Sequence, residues 1–173
     1  MSMIGNLRRL SDADLSRLLA EPSLISDYLY SEDEEDASDP PFGEHADLDI
    51  DKAWHGIHFL LTRSAWEGEL PLAFLVCGGT EIGDEDVGYG PARGFDSEQV
   101  RAIAKALEAI DPIEFRARFD PAAMTKAQVY PEIWNRPLEQ EDTVGYLVDY
   151  YDEMRSFIAG AAKEGEALLV YLN

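Results

Sequence analysis

The spacing of hydrophobic positions changes several times along this chain, and each change predicts an element. Met3–Arg9 alternates loosely between apolar and polar residues and predicts a short strand. Ser11 stands as an N-cap before an apolar stripe of Leu15, Leu18 and Leu19. Pro22 opens a second short helix with Leu24, Ile25, Tyr28 and Leu29 turned inward. From Lys52 to Thr62, the residues Trp54, Ile57, His58 and Leu61 recur at helical spacing, and Asp51 is placed to cap that helix. Leu72–Cys77 is a continuous apolar run closed by Gly78 and Gly79, the pattern of a central strand covered on both faces. Asp86–Arg93 is rich in glycine and fits either a further strand or an ordered loop.

The second half is mostly helical in pattern. Ser97 is the expected cap of a helix that turns Val100, Ile103, Ala104 and Leu107 inward. Asp111–Pro112 and Asp120–Pro121 each place a capping carboxylate before a proline at the first helical position. Tyr130–Trp134 predicts an extended segment or turn. Thr143–Glu164 is the longest helix, with Val144, Leu147, Val148, Tyr151, Met154, Ile158 and Ala161 on one face and Gly165 as its stop. Glu166–Leu172 predicts a last strand. Strands at both ends and in the middle, with helices between, give an α+β class: one domain over residues 1–173, with a small mixed β-sheet covered by several helices.

Charge then narrows the partners. Fourteen Lys and Arg face thirty-five Asp and Glu, a formal net charge of −21. Such a surface repels phosphate backbones and anionic lipid, so nucleic acid and membranes are not expected as partners, and a cationic protein is. The residues from about 31 to 46 hold an acidic run, Glu32–Asp36 with Asp39, ending in Pro40–Pro41; like charges and paired prolines predict a mobile surface loop. The single Cys77 forms no internal disulfide, Met1–Leu10 has no leader-like apolar stretch, and no apolar run is long enough to cross a bilayer, so a cytoplasmic protein is expected.

Candidate chemistry concentrates between Asp47 and Arg93. His55 and His58 lie three residues apart, with Asp51 one turn earlier, which brings two imidazoles and a carboxylate to one end of a helix. The spacing is not H-E-x-x-H, no fourth ligand is indicated, and His58 shares the apolar stripe, so no metal or other cofactor is expected. Asp47, Asp49 and Asp51 imitate the start of a calcium loop, but Lys52 occupies the place of the turn glycine and His58 that of the bidentate glutamate. The loop Gly78–Gly94 lacks a phosphate-binding signature and sets Glu81, Asp84, Glu85 and Asp86 against Arg93 alone. Cys77, at the end of an apolar run, reads as an inert core thiol. Trp54, Trp66, Tyr89 and Trp134 stand near polar loops, where large aromatics line grooves or fill cores. The candidate ligand-binding set is therefore Trp54, His55, His58, Trp66, Tyr89 and Arg93, with no catalytic residue assigned.

The block L48-D-I-D-K-A-W-H-G-I-H-F-L-L-T62, together with W66-E-G68, G88-Y-G-P-A92, the N-terminal M-I-G-N and Y130-P-E-I-W134, resembles the YfbM-like family of small bacterial proteins. The resemblance spans nearly the whole chain. It implies a single αβ domain and no reaction, since the family is a domain of unknown function, and it carries over no site residue.

Two functions follow as expectations. The favoured one is a small acidic cytoplasmic binding protein that neutralises a basic partner, in the manner of an immunity protein. The alternative is a small-molecule or metal-dependent enzyme with its site at the helix of residues 51–58 and the glycine-rich loop of residues 78–93.

Overall fold

In the computed structural model, which describes residues 2–31 and 41–173, the chain opens with β1 (Gly5–Leu10) and α1 (Asp12–Ala20). A single 3-10 turn at Pro22–Leu24 leads into α2 (Ile25–Tyr30). After β2 (Ala46–Asp49) come α3 (Ala53–Thr62), the hairpin β3 (Thr80–Glu81) and β4 (Arg93–Phe95), and α4 (Ser97–Glu108). Two short helices, α5 (Pro112–Ala117) and α6 (Pro121–Lys126), precede the long α7 (Thr143–Glu164) and the closing strand β5 (Ala167–Leu172). The acidic run Glu32–Asp39 lies outside the described residues.

The strands assemble in the order β2-β1-β5-β4-β3, and every pairing is antiparallel. The α+β class holds, with an antiparallel sheet in place of the mixed one that the sequence suggests. β5 is the centre. It pairs with β1 through Leu7↔Val170 and with β4 through Phe95↔Leu168. Alternate residues of a strand face opposite sides. Leu168 and Val170 therefore enter a core shared with α3, α4 and α7, while Ala167, Leu169 and Tyr171 enter a second core under α1, α2 and Ile82–Ala92. Burial on both faces explains the unbroken apolar run of the last strand.

The other apolar run, Leu72–Cys77, is not a strand. It is a series of turns in which Ala73 N–H donates to Glu69 O, and Val76 and Cys77 N–H both donate to Ala73 O. Ala73, Phe74 and Leu75 are buried, so the run does fill the core, but without sheet partners. An apolar run states burial; it does not state which backbone form achieves it.

Two caps differ from the sequence reading. Asp96, not Ser97, caps α4, and it forms a capping box with Gln99. Asp51 does not cap α3: its backbone is left-handed at φ 47, and Lys52 occupies the N-cap position without a side-chain bond. Ser11, Asp111 and Asp120 cap α1, α5 and α6 as their sequence positions predict. α7 follows its stripe from Thr143 to Glu164 and ends on Gly165, left-handed at φ 68.

Candidate functional site

α3 is buried on all sides, from Ala53 to Leu61, so its polar residues are interior groups that need partners. It can lie this deep because Gly56 meets α7 closely: a Cβ there would come 2.7 Å from Leu147 Cδ2 and 3.0 Å from the Trp134 ring. The chain leaves α3 through Arg63, left-handed at φ 64, and the segment after it runs back beside the helix.

The two histidines fasten that returning segment. His55 Nδ1 accepts the Tyr130 amide at 2.9 Å, which assigns the proton to Nε2, 2.7 Å from the Ala65 carbonyl. Both ring nitrogens are thus occupied by backbone. His58 Nε2 lies 3.1 Å from the Glu67 carbonyl, and its buried Nδ1 has no hydrogen-bond partner. Burial lowers the pKa of His55. Burial first, then the His55 ring and Arg93, pushes His58 down to about 4. Both rings are neutral near pH 7.

Trp54, His55 and Trp66 do converge. The Trp54 and His55 rings stack at 4.7 Å and 9°, and Trp66 sits 4.3 Å from His55 while 57% exposed. Trp54 Nε1 donates to Met3 O, so this stack joins α3 to the N-terminal segment. His58, one turn on, is sealed from solvent. Arg93 reaches neither a carboxylate nor a cleft: its guanidinium donates to the carbonyls of Phe74, Leu75 and Gly78 and holds the 72–77 turns together. Burial lowers its pKa. Tyr89 belongs elsewhere, with its amide on Leu172 O at the far end of β5. The predicted set therefore splits into a Trp54–His55–Trp66 stack, a sealed His58, a carbonyl-capping Arg93 and a separate Tyr89.

The neighbouring acidic residues are also structural. Asp47 is the cross-strand partner of Arg8 and accepts two of its donors, at 2.6 and 2.9 Å. Asp86 Oδ1 accepts the amides of Gly88 and Gly90, which shapes the glycine-rich loop. Cys77 is a half-buried free thiol whose Sγ lies 3.6 Å from Trp66 O. Among the described residues, no group of three or more His, Cys, Asp or Glu is placed to hold a metal ion, and no helix is long and apolar enough to cross a membrane.

A surface the sequence reading missed lies where the β2 edge meets α7. Asp49 Oδ1 accepts the Asp51 amide at 2.6 Å, and Asp51 Oδ2 accepts the Tyr146 hydroxyl at 3.0 Å. Tyr146 and Tyr150 pack edge to face at 5.1 Å. The Tyr150 hydroxyl is raised by burial and then by Asp51, Asp49 and Glu153, three carboxylates around one ring. The available signal was Tyr146, Tyr150 and Glu153 at i, i+4 and i+7 on α7, along the flank of the apolar stripe.

The arginines explain why this surface stays negative. Arg63 donates to Arg118 O, Arg118 to Leu60 O, and Arg155 to the carbonyls of Leu107 and Glu108. Ion pairs with arginine between described residues involve four carboxylates, those of Asp47, Glu114, Glu141 and Glu166. Much of the scarce positive charge is thus spent on backbone carbonyls.

The family model of a domain of unknown function, DUF1877, matches residues 1–171. The fold is similar to the crystal structure of a protein of unknown function, YfbM, from Escherichia coli. The TM-score is 0.70 at 22% identity, with 98% of this chain and 99% of that chain covered. No curated protein matches the sequence.

Proposed function

The chain belongs to the DUF1877 family, whose description names no reaction, and we propose from its surface that it is a binding protein for a basic partner protein. The observation that carries this is the excess of acid over base, thirty-five Asp and Glu against fourteen Lys and Arg, deepened where Arg93 and Arg155 spend their guanidinium groups on backbone carbonyls. The docking surface is the acid–tyrosine strip of Asp49, Asp51, Tyr146, Tyr150 and Glu153. Tyrosine offers a large apolar face with a polar tip, and carboxylates beside it select Lys and Arg. Among the described residues β2 is an edge strand, pairing with β1 alone, so its outer backbone groups are open to a partner strand. Cytoplasmic residence belongs to the same reading and draws support from the single free cysteine. The alternative of an enzyme centred on the α3 histidines draws no support from rings held by backbone groups and shut from solvent.

The test compares two charge-matched variants for binding an arginine-rich peptide. D49N/D51N/E153Q alters the strip, and E98Q/E108Q/E139Q removes three exposed charges elsewhere. Loss of three surface pairings is expected to weaken binding about tenfold for the strip variant, with a steep loss as salt rises. Equal weakening in both variants refutes the strip. Binding that ignores ionic strength refutes the electrostatic reading.

A further inference from the structure

A cavity of about 250 Å³ opens between α5, α6 and the start of α7, lined by Arg116, Phe119, Trp134, Arg136, Leu138 and Val144 among others. None of the residues singled out from the sequence as a ligand-binding set lies in it. Its wall is mixed: Phe119, Pro121, Trp134, Leu138 and Val144 stand beside polar and charged residues, two arginines and two carboxylates among them. Leu138 is 69% exposed, a large apolar side chain left in water beside the opening.

The charges at this cavity are unequally committed. Glu141 is taken by Arg136 at 2.5 Å, and Asp142 by the Gly145 amide at 2.9 Å. Arg116, exposed in the last turn of α5, has neither an ion pair nor a hydrogen bond among the described residues. The Val144 amide, second in α7, likewise has no acceptor among the described residues. Arg116 and Val144 thus line one cavity together with Phe119, Trp134 and Leu138.

We propose that this cavity binds a small organic monoanion, a carboxylate on an aryl or branched-alkyl body. The Arg116 guanidinium takes the carboxylate, and Phe119, Trp134 and Leu138 take the body. The volume lies just below the range of about 300–1,000 Å³ usual for drug-sized ligands, which points to something of phenylacetate size. A phosphate dianion fits worse, because Glu141 and Asp142 also line the cavity and repel a second charge. The net charge of the whole chain does not forbid the site, since charges beyond about 8 Å are screened at physiological ionic strength and the local arginine decides. The proposal is independent of the basic-partner reading.

Nuclear magnetic resonance titration of the full chain tests it, with phenylacetate, 3-phenylpropionate and 4-methylpentanoate as probes and phenylacetamide as the neutral counterpart. The expected result is saturable shifts at the Val144 amide and the Trp134 indole. Phenylacetamide should bind about tenfold more weakly than phenylacetate, and R116Q should weaken phenylacetate about tenfold, the loss of one charge-assisted pairing. Arg116 is exposed, so R116Q should keep the wild-type melting curve. The amide comparison decides the matter without any variant if it does not. Absence of saturation by all three acids below about 10 mM overturns the proposal, as does amide binding equal to acid binding, or R116Q binding equal to wild type.

Discussion

Acidification from about pH 7 to about pH 5 is expected to cost the wild-type chain about 2 kcal/mol more stability than it costs His58→Gln. The His58 ring is fully buried, with Nε2 on the Glu67 carbonyl and Nδ1 facing no partner. Protonation would put a second donor on that empty side, next to the His55 ring and the Arg93 guanidinium. Burial first, and these neighbours after it, therefore move the pKa from 6.5 down to about 4. Between those values the unfolded chain binds the proton and the folded chain does not. Stability is whole above the unfolded value and drains as pH falls toward the folded one. At about pH 5 the two pKa values give a ratio near 30 between unfolded and folded proton uptake, and RT ln of that ratio is about 2 kcal/mol. Glutamine keeps an N–H for Glu67 O and cannot titrate, while His55 is present in both chains and cancels. Urea melts of both chains across that window measure the difference, which corresponds to about 4–8 °C in Tm for a chain of this size. Stability profiles that stay parallel within about 0.5 kcal/mol would refute the reasoning.

Arg93→Met strands the carbonyls of Phe74, Leu75 and Gly78 and is expected to destabilise the fold by about 2–4 kcal/mol in denaturant melts. A loss under about 1 kcal/mol would mean that water replaces the guanidinium at those oxygens. Gly165→Ala meets no atom within 4 Å, so its cost is conformational. About 1 kcal/mol is expected for a β-carbon at φ 68, and unchanged thermal stability would contradict the left-handed stop of α7. Weaker binding of a basic peptide by D49N/D51N/E153Q, and of phenylacetate by R116Q, complete the set.

Helices were the most legible part of the chain, because their signals are local. α7 could be read end to end from one stripe and one glycine, and α5 and α6 from Asp-Pro pairs, since capping and i, i+4 spacing involve residues a turn apart. Ser97 misled by one position because Asp96 beside it caps as well and has Gln99 to complete the box. The candidate site was legible only as composition. The Trp54–His55–Trp66 stack can be suspected from proximity in sequence. That Tyr130, seventy-five residues on, donates its amide to His55 cannot. Arg93 looked like the single cation of a loop, and only the returning 72–77 turns show carbonyls, not a ligand, at its guanidinium.

By itself the sequence determined the class of fold, the helices and their stops, the closing strand and the excess of negative charge, all of which rest on composition or on neighbours within a few residues. Tertiary structure decided which of two apolar runs became the central strand, because β5 found β1 and β4 as partners while Leu72–Cys77 closed on its own carbonyls. It also decided that the histidines serve as fastenings, that Arg93 and Arg155 bind backbone carbonyls, and that Asp51 meets Tyr146 across ninety-five residues. The physical reason is common to all of these. A hydrogen-bonding group must be satisfied once buried, and which partner satisfies it depends on segments brought together only by folding.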